Sequence, residues 1–332
     1  MSDHNIKNSP NDVVTAPTSE RIVFSPEHPN ILSQATEWEL DFRQIGQGRL
    51  NTNVVLHSAM GCTISKIVMS TDVHQMGQPP DNKITFGIPD PEGLTAWQGG
   101  QIETDSLLTF GSKTGFDSIS NSRHVGTTIS FEKADLIGFC EAAGVDLSDR
   151  VLSSNKFENA FQMPMLLNLK KQISFLLGSD TIRWSNTLRD ELILNVLGLV
   201  SNSEALCEYA VSSKRRVVLN KTIDLINENE DEIVPISSLC REVGASWRTI
   251  NRAFRDEFGF GPKAYYTRLR LNRVRLALAE ANENVSVSSA ANRYEFWHMG
   301  QFARDYQSLF GELPSTTLAR VKKTSEPALI IA

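Results

Sequence analysis

The spacing of apolar residues changes along the chain and divides it into two parts. In the first part, which begins at residue 21, apolar and β-branched residues occur in short runs, such as residues 53–57, 63–69 and 83–87. Glycine and proline separate these runs, which is typical of short strands joined by turns. We therefore predict a β-barrel or sandwich, with residues 123–131 as its last strand.

Helical spacing begins after Glu132. Four segments carry apolar residues three or four positions apart and are predicted to be helices: residues 134–143, 164–177, 187–210 and 214–229. The third segment has a wide apolar stripe with Leu192 and Val196 at its centre. A stripe of this width serves two surfaces, so it indicates equally a helix packed on its own β-region and a dimerisation helix.

Two helix-turn-helix patterns follow, over residues 235–262 and 285–314. In each, a short helix, a tight turn and a second helix lead to Phe-Gly and a closing proline. The first unit turns at residues 244–246 and the second around residues 295–297, and residues 262–281 are predicted to form the helix that joins them. The apolar faces are Leu239, Val243, Ile250, Phe254 and Phe258 in the first unit, and Ala290, Tyr294, Phe302, Tyr306 and Phe310 in the second. Such paired helices suit a major groove.

Residues on the sides opposite these apolar faces are the candidates for DNA contact, and they are mainly polar in the first unit and less polar in the second. Ser246 is expected to cap the second helix of the first unit, and arginine and asparagine bond bidentately to guanine and adenine. The predicted DNA-binding residues are Ser246, Trp247, Arg248, Asn251, Arg252, Arg255, His298, Met299, Gly300, Ala303 and Arg304. The alternatives are a solvated arginine face, a Trp247 that covers the helix edge, and a His298 that caps its helix or contacts phosphate.

The charge distribution supports a polyanionic partner for the C-terminal part alone. The net charge of the chain is −6, but residues 214–323 carry 18 Lys and Arg against 13 Asp and Glu, a net charge of +5. The segment 262–281 contributes Arg268, Arg270, Arg273 and Arg275. We expect some of these to pair with Asp256, Glu257 or Asp305 and the others to contact phosphates.

Composition excludes several classes of protein. No apolar run approaches the roughly 18 residues of a membrane span, and the first ten residues lack the features of a signal peptide, so we predict a cytoplasmic protein without membrane contact. The four cysteines are scattered and are interpreted as core residues. Residues 1–20 are predicted to be a disordered tail, 21–211 a sensor or dimerisation domain, and 214–323 a DNA-binding domain.

An enzyme would need a catalytic constellation, and no hydrolase, phosphate-loop or dinucleotide motif is present. His57, His74 and His124 are the candidate metal ligands of the β-region, but they lack a close pair, so we predict no metal and no cofactor. Trp97, Phe86, Phe110 and Phe116 are candidates for a small-molecule pocket or for plain core. A metal-dependent cupin enzyme fused to a DNA-binding domain and a ligand-independent regulator remain as alternatives.

Residues 246–254, 258–262, 268–273 and 302–315, with Tyr265, resemble the AraC/XylS family of transcriptional regulators. The resemblance implies a seven-helix domain that places two recognition helices in successive major grooves of double-stranded DNA, and activation through contact with RNA polymerase. Residues 296–302 resemble a subgroup that includes the ethanolamine-operon regulator, and residues 42–49 and 97–100 resemble its cupin-like sensor domain. The family usually has glycine where this chain has Glu295. A positive φ at Glu295 would cost about 1 kcal/mol.

The predicted fold class is therefore α+β. A β-rich, cupin-like N-terminal domain with helices precedes an all-α C-terminal domain with two helix-turn-helix motifs. The predicted function is a sequence-specific regulator, an activator that responds to a small-molecule effector, with a homodimer left open.

Overall fold

The computed structural model describes residues 20–26, 30, 32–90, 92–100, 102, 106–110, 115–145, 156–158, 163–179, 184–201, 204–206, 214–229, 234–281 and 285–321. The predicted disordered tail lies outside these residues except for Glu20. A β-rich N-terminal region precedes a helical C-terminal region, which confirms the α+β prediction. No helix in the described ranges has both the length and the apolar character that crossing a bilayer requires.

Two antiparallel sheets form the N-terminal region. The strands are β1 Glu20–Phe24, β2 Glu39–Gln44, β3 Thr52–Ala59, β4 Cys62–Met69, β5 Val73–Gln78, β6 Lys83–Ile88, β7 Leu94–Trp97, β8 Ser106–Thr109, β9 Phe116–Ser120, β10 His124–Glu132, β11 Lys156–Glu158 and β12 Glu204–Leu206. The large sheet has the order β1-β3-β4-β10-β6-β8-β11-β12, and the small sheet the order β2-β5-β9-β7. The predicted strands at 53–57, 63–69, 83–87 and 123–131 are confirmed as parts of β3, β4, β6 and β10.

Helices cover one face of the large sheet. They are α2 Lys133–Ala143, α3 Met163–Gly178 and α4 Asn186–Ser201, while the short α1 Leu32–Ala35 precedes β2. Ile64 and Ile129 point from the sheet towards these helices and pack in one core with Leu166, Ile173 and Val196. The apolar stripe of α4 is buried in this core, so it packs on its own β-region, which was one of its two interpretations.

The prediction of one helix over residues 187–210 was too long. Helix α4 ends at Ser201, and β12 follows and pairs with β11, which pairs in turn with β8. The segment from Ser201 to Ser203 is polar and does not continue the stripe, while the edge of the large sheet offers the chain a ladder of backbone hydrogen bonds. Pairing between distant segments thus overrides the local preference for helix.

The C-terminal region contains α5 Lys214–Glu228, α6 Ile236–Val243, α7 Trp247–Phe258, α8 Pro262–Ala279, α9 Val287–Arg293, α10 Met299–Phe310 and α11 Pro314–Val321. Each helix-turn-helix unit has its own core. Ile250, Phe254 and Tyr265 lie at the centre of the first, and Phe302 and Tyr306 at the centre of the second. Helix α8 contributes to both cores and so joins the units, as predicted.

The turns of the two units differ. Gly244 ends α6 with a φ of 71°, in the left-handed conformation that glycine adopts without steric penalty. The equivalent turn of the second unit places Glu295 at a φ of 61°. The cost expected for a positive φ at Glu295 therefore applies, and a side chain with a Cβ carries the strain.

Replacing Glu295 by glycine is expected to raise the free energy of unfolding by about 0.5–1 kcal/mol, because the positive φ no longer costs steric energy. Urea denaturation of the full chain measures the change. The control is Asn292→Gly, which places glycine in the last turn of α9 and should destabilise by up to about 1 kcal/mol. A Glu295→Gly variant that is destabilised would contradict the assignment of strain to this turn.

Candidate nucleic-acid interface and its contacts with the N-terminal region

Helix α7 carries the first candidate reading surface. Ser246 caps it by accepting a hydrogen bond from the backbone N–H of Thr249 at 3.3 Å, which confirms the predicted cap. The apolar side of the helix is buried in the first core, whereas Arg248, Arg252 and Arg255 are exposed on the other side. The division between the two sides leaves a row of guanidinium groups facing solvent.

Two of the predicted contact residues in this unit are less exposed. Asn251 is half-buried, and its Oδ1 would lie 2.4 Å from a Cβ built on Gly261, so the amide packs against the backbone before α8. Trp247 is half-buried and packs on the first core. This placement matches the alternative in which Trp247 covers the helix edge.

Helix α10 carries the second candidate surface, and it is less polar. His298 precedes the helix and is exposed together with Gly300 and Arg304, while Met299 and Ala303 are half-buried. The Arg304 Nη2 donates a hydrogen bond to Gln301 Oε1 at 2.8 Å. Trp297, which the sequence argument did not select, is 68 % exposed beside His298. The position of this tryptophan in the turn before α10 was visible in the sequence, whereas its exposure comes from the structure.

Three of the four arginines of α8 have structural partners other than those predicted. Arg268 Nε donates to the Ile45 carbonyl at 3.0 Å, and Arg270 Nε donates to the Tyr294 carbonyl at 2.8 Å. Arg275 lies 3.8 Å from a carboxylate oxygen of Glu312. Asp256 and Glu257, the predicted partners, instead bind arginines of α5, namely Arg215 at 2.5 Å and Arg216 at 2.6 Å. The two carboxylates of α7 are thus paired with arginines of α5.

The small sheet has two faces with different neighbours. One face points towards the large sheet and carries side chains such as Phe42, Gln75 and Phe116. The other face points towards the C-terminal region, where Ile119 lies in the core of the first helix-turn-helix unit and Ala96 packs against it. Because side chains alternate along a strand, neighbouring residues of the same four strands reach both neighbours.

A buried chain of polar groups crosses from this sheet to the first unit. Arg43 Nη1 donates to the Tyr265 hydroxyl at 3.0 Å, and that hydroxyl lies 2.8 Å from Nδ1 of His74. His74 Nε2 lies 3.0 Å from a carboxylate oxygen of Asp117. An ionised carboxylate only accepts, so Nε2 carries a proton and donates to Asp117, while Nδ1 and the Tyr265 hydroxyl share the second hydrogen bond. Asp117 also binds Arg216 of α5 at 3.4 Å.

The charges of this cluster support one another. Burial by itself would raise the pKa of Asp117, but the charges and hydrogen bond of His74 and Arg216 outweigh it and lower the pKa. Burial likewise opposes the charge of Arg43, yet Tyr265 and Asp41 raise its pKa. The Tyr265 pKa is raised chiefly by burial, which keeps the hydroxyl protonated and able to donate.

A second set of contacts joins the N-terminal region to the other unit. The side chain of Asn272 in α8 accepts from the Gln44 backbone N–H and donates to the Gln44 carbonyl, both at 2.9 Å. The Gln44 Nε2 donates to the Leu309 carbonyl near the end of α10 at 2.7 Å, and the Gly48 N–H donates to the same carbonyl at 3.0 Å. The N-terminal region therefore contacts both helix-turn-helix units and the helix between them.

A cavity of about 340 Å³ lies between the two sheets. Its volume is within the range of small-molecule sites. Trp38, Trp97, Phe110 and Phe116 line it, with Trp97 and Phe116 stacked at 5.8 Å between ring centroids. Three of the four predicted pocket aromatics are thus in its wall, whereas Phe86 is fully buried under the helices of the large sheet.

The three histidines considered as metal ligands lie in different environments. His57 accepts a hydrogen bond from Trp184 Nε1 at 2.8 Å, His74 belongs to the cluster with Tyr265, and His124 lines the cavity. Among the described residues, no group of three His, Cys, Asp or Glu side chains is arranged to hold a metal ion.

The comparisons with known proteins concern the C-terminal region. Residues 239–320, which span both units, match the family model of a helix-turn-helix domain. The chain is 35% identical over 113 residues to the XylDLEGF operon transcriptional activator 1 of Pseudomonas putida, a match that covers 34% of this chain and 34% of that protein. The C-terminal region contains a helix-turn-helix domain, and the chain is similar to this operon activator over about a third of its length.

Two further relatives match the same type of domain. A probable thc operon regulatory protein of Rhodococcus erythropolis is 27% identical over 105 residues, which cover 31% of this chain and 32% of that protein. A solved structure of a probable AraC family transcriptional regulator from Rhodopseudomonas palustris is 34% identical, with a TM-score of 0.30, and covers 31% of this chain and 96% of that one. The chain spans about a third of the length of the curated relatives it matches.

Replacing Tyr265 by phenylalanine is expected to lower the free energy of unfolding by about 1–3 kcal/mol, because Arg43 Nη1 and His74 Nδ1 lose a buried partner. Tyr306→Phe is the matched control, since it removes a buried hydroxyl whose bond to Thr317, 2.8 Å long, lies within the second unit. Urea denaturation of the full chain should show the larger loss for Tyr265→Phe. A Tyr265→Phe protein as stable as the wild type would mean that the hydroxyl adds nothing to the stability, and a loss equal to that of Tyr306→Phe would mean that it adds no more than a hydroxyl bonded within one unit.

Proposed function

We propose that the protein is a sequence-specific transcriptional activator whose DNA binding is controlled by a small molecule. In this proposal, residues 214–323 bind double-stranded DNA and residues 21–211 sense the effector. The observation that carries the proposal is the small sheet, which lines the cavity with one face and contacts the AraC/XylS-type domain with the other. A change in the cavity therefore has a short path to the DNA-binding helices.

The exposed side of α7 supports the DNA-binding role. Arg248, Arg252 and Arg255 leave the helix on the side opposite its core, and the Ser246 cap holds the start of the helix in place. Arginine suits both guanine edges and phosphates. We expect most base specificity from this unit. The surface of α10, with Gly300 and Ala303, suits close backbone approach and methyl contacts, and we expect it mainly to set register.

The contacts between the regions support a regulatory role for the N-terminal part. Gln44 holds α8 and the end of α10, while His74 holds Tyr265 at the start of α8. These contacts define one relative placement of the two reading helices. Two units joined by one helix would bind sites about one turn of DNA apart, roughly 34 Å. The duplex would bend so that both recognition helices enter the major groove at once. A bending assay that detects a straight duplex with both half-sites protected would contradict the bending.

Activation, contact with RNA polymerase and a cytoplasmic location are proposed from the similarity to operon activators. The curated relatives with the XylDLEGF name are activators, and the similarity to them covers only the C-terminal region. The resemblance of residues 296–302 to the ethanolamine-operon subgroup, and that of the β-region to cupins, stay predictions. Transcription from a bound promoter with purified RNA polymerase tests the activator role, and a bound promoter that is silenced would contradict it.

Replacing Arg252 by alanine is expected to weaken specific DNA binding by about tenfold or more while leaving the fold intact. Arg252 is 70 % exposed and lies 3.9 Å from Asp256, so its removal costs little stability. Fluorescence anisotropy on sites selected from a random library, repeated over a range of salt concentrations, measures the loss. A decrease of about 0.9 in the slope of log affinity against log salt concentration would assign Arg252 to a phosphate contact. An unchanged slope would assign Arg252 to a base contact.

The matched control is Arg123→Ala, which removes a similarly exposed arginine of the N-terminal region. DNA affinity and footprint should not change in this variant. An Arg252→Ala protein with an unaltered footprint would rule out the assigned contact.

We also propose a homodimer formed through α3 and α4. Phe175 and Leu194 project from these helices with 71 % and 55 % of their surface exposed, although their neighbours fill the core. Phe175→Glu is expected to shift sedimentation from dimer to monomer, because it places a charge in the apolar contact. Lys171→Glu, an exposed change on the same helix, is the control. A wild-type protein that sediments as a monomer at high concentration would end the proposal.

A further inference from the structure

The wall of the cavity between the sheets includes a residue whose ring has a nitrogen without a hydrogen-bond partner among the described residues. His124, at the start of β10, is 4 % exposed and lines the cavity, and its Nδ1 is buried without a hydrogen bond. Burial lowers the pKa of His124 to about 4, so the ring is neutral near pH 7. Other polar groups of the wall are paired, for example Ser65 with Thr128 at 2.5 Å and Gln75 with Ser120 at 2.8 Å.

A buried polar atom without a partner costs free energy, and such atoms are commonly completed by a ligand or water. A neutral imidazole nitrogen either donates or accepts one hydrogen bond, depending on its tautomer. The imidazole of His124 is therefore suited to one polar group of a bound molecule. It offers no counter-charge to an ion.

The charged residues among the described lining disfavour an anion. They are Glu20, Glu37 and Lys83, and Lys83 already lies 2.9 Å from Glu37 and 3.9 Å from Glu132. An anion would have to displace Glu37 and would meet a surplus of carboxylates. Deeper in the cavity, a charge of either sign would be buried without a partner, which is costly.

Aromatic rings shape the remaining wall. Trp97 stacks on Phe116, and Phe110 meets Trp97 edge-on at 4.8 Å and Trp38 at 5.1 Å. Faces and edges of rings form favourable contacts with flat apolar surfaces. The wall therefore favours a planar hydrocarbon framework.

We infer that the effector is an uncharged, flat and largely apolar molecule that makes one hydrogen bond to the imidazole of His124. This inference rests on the proposed role of the cavity as the effector site, and it adds the chemical class of the effector and the residue that anchors it.

A pair of fluorescent probes tests the inference. N-phenyl-1-naphthylamine is uncharged and carries one N–H donor, and 8-anilino-1-naphthalenesulfonate has the same rings with an added sulfonate. Both become brighter in apolar surroundings. Ser118→Phe places a ring in the cavity wall, so the signal that this variant loses is the signal from the cavity, and the remainder reports surfaces such as Phe175.

The uncharged probe is expected to bind in the cavity at least tenfold more tightly than the sulfonate. His124→Phe, which keeps a ring and removes both nitrogens, should weaken the uncharged probe about fivefold. His124→Gln, which restores a polar group, should recover part of the affinity. Thermal unfolding of each variant monitors the fold, and if His124→Phe does not fold, the Gln variant and the two probes on wild-type protein decide.

Two outcomes would overturn the inference, and they are distinguishable. If the sulfonate binds the cavity as tightly as the uncharged probe, or if His124→Phe binds both as wild type does, the effector class is wrong while the effector site stands. If neither probe gives a signal that Ser118→Phe removes, the cavity does not take ligands of this kind, and the proposed sensor role is contradicted as well.

Discussion

The structure depends on the hydrogen bonding of one hydroxyl group, that of Tyr265. It accepts a hydrogen bond from Arg43 and shares another with His74, and both partners belong to the small sheet. All three groups are buried, so each needs the others to be satisfied. Because Asp117 and Arg216 continue the chain, the cluster joins three strands to the first helices of the DNA-binding part. The rest of the contact between the regions is built around this point.

In the proposed function, the same sheet couples the cavity to the DNA-binding part. Phe42 faces the cavity and Arg43 faces Tyr265; Gln75 faces the cavity and His74 faces the same hydroxyl. Adjacent residues on a strand point in opposite directions, so a displacement of one moves the other through the backbone. A single layer of strands therefore lies between the cavity and the first helix-turn-helix unit.

The two helix-turn-helix units are unequal in their reading surfaces and in their turns. The first has a glycine turn and an exposed row of arginines, and the second has a strained Glu295 and a surface of small residues. Contacts from the N-terminal region reach the two units differently as well. The first is held through side chains such as Tyr265, and the second through the backbone carbonyl of Leu309. A shift of the small sheet would therefore act on the two reading helices through different atoms.

Local pattern alone determined much of this protein: the strands around Val55 and Ile64, the turn at Gly244 and the Ser246 cap follow from spacing and side-chain chemistry within a few residues. Three of the cavity aromatics were also recognisable. The strand at residues 204–206, the partners of the α8 arginines and the role of His74 came only from the tertiary structure. Each depends on groups far apart in the chain, such as His74 and Tyr265. A periodic pattern states which side of an element is buried, but not which distant element covers it.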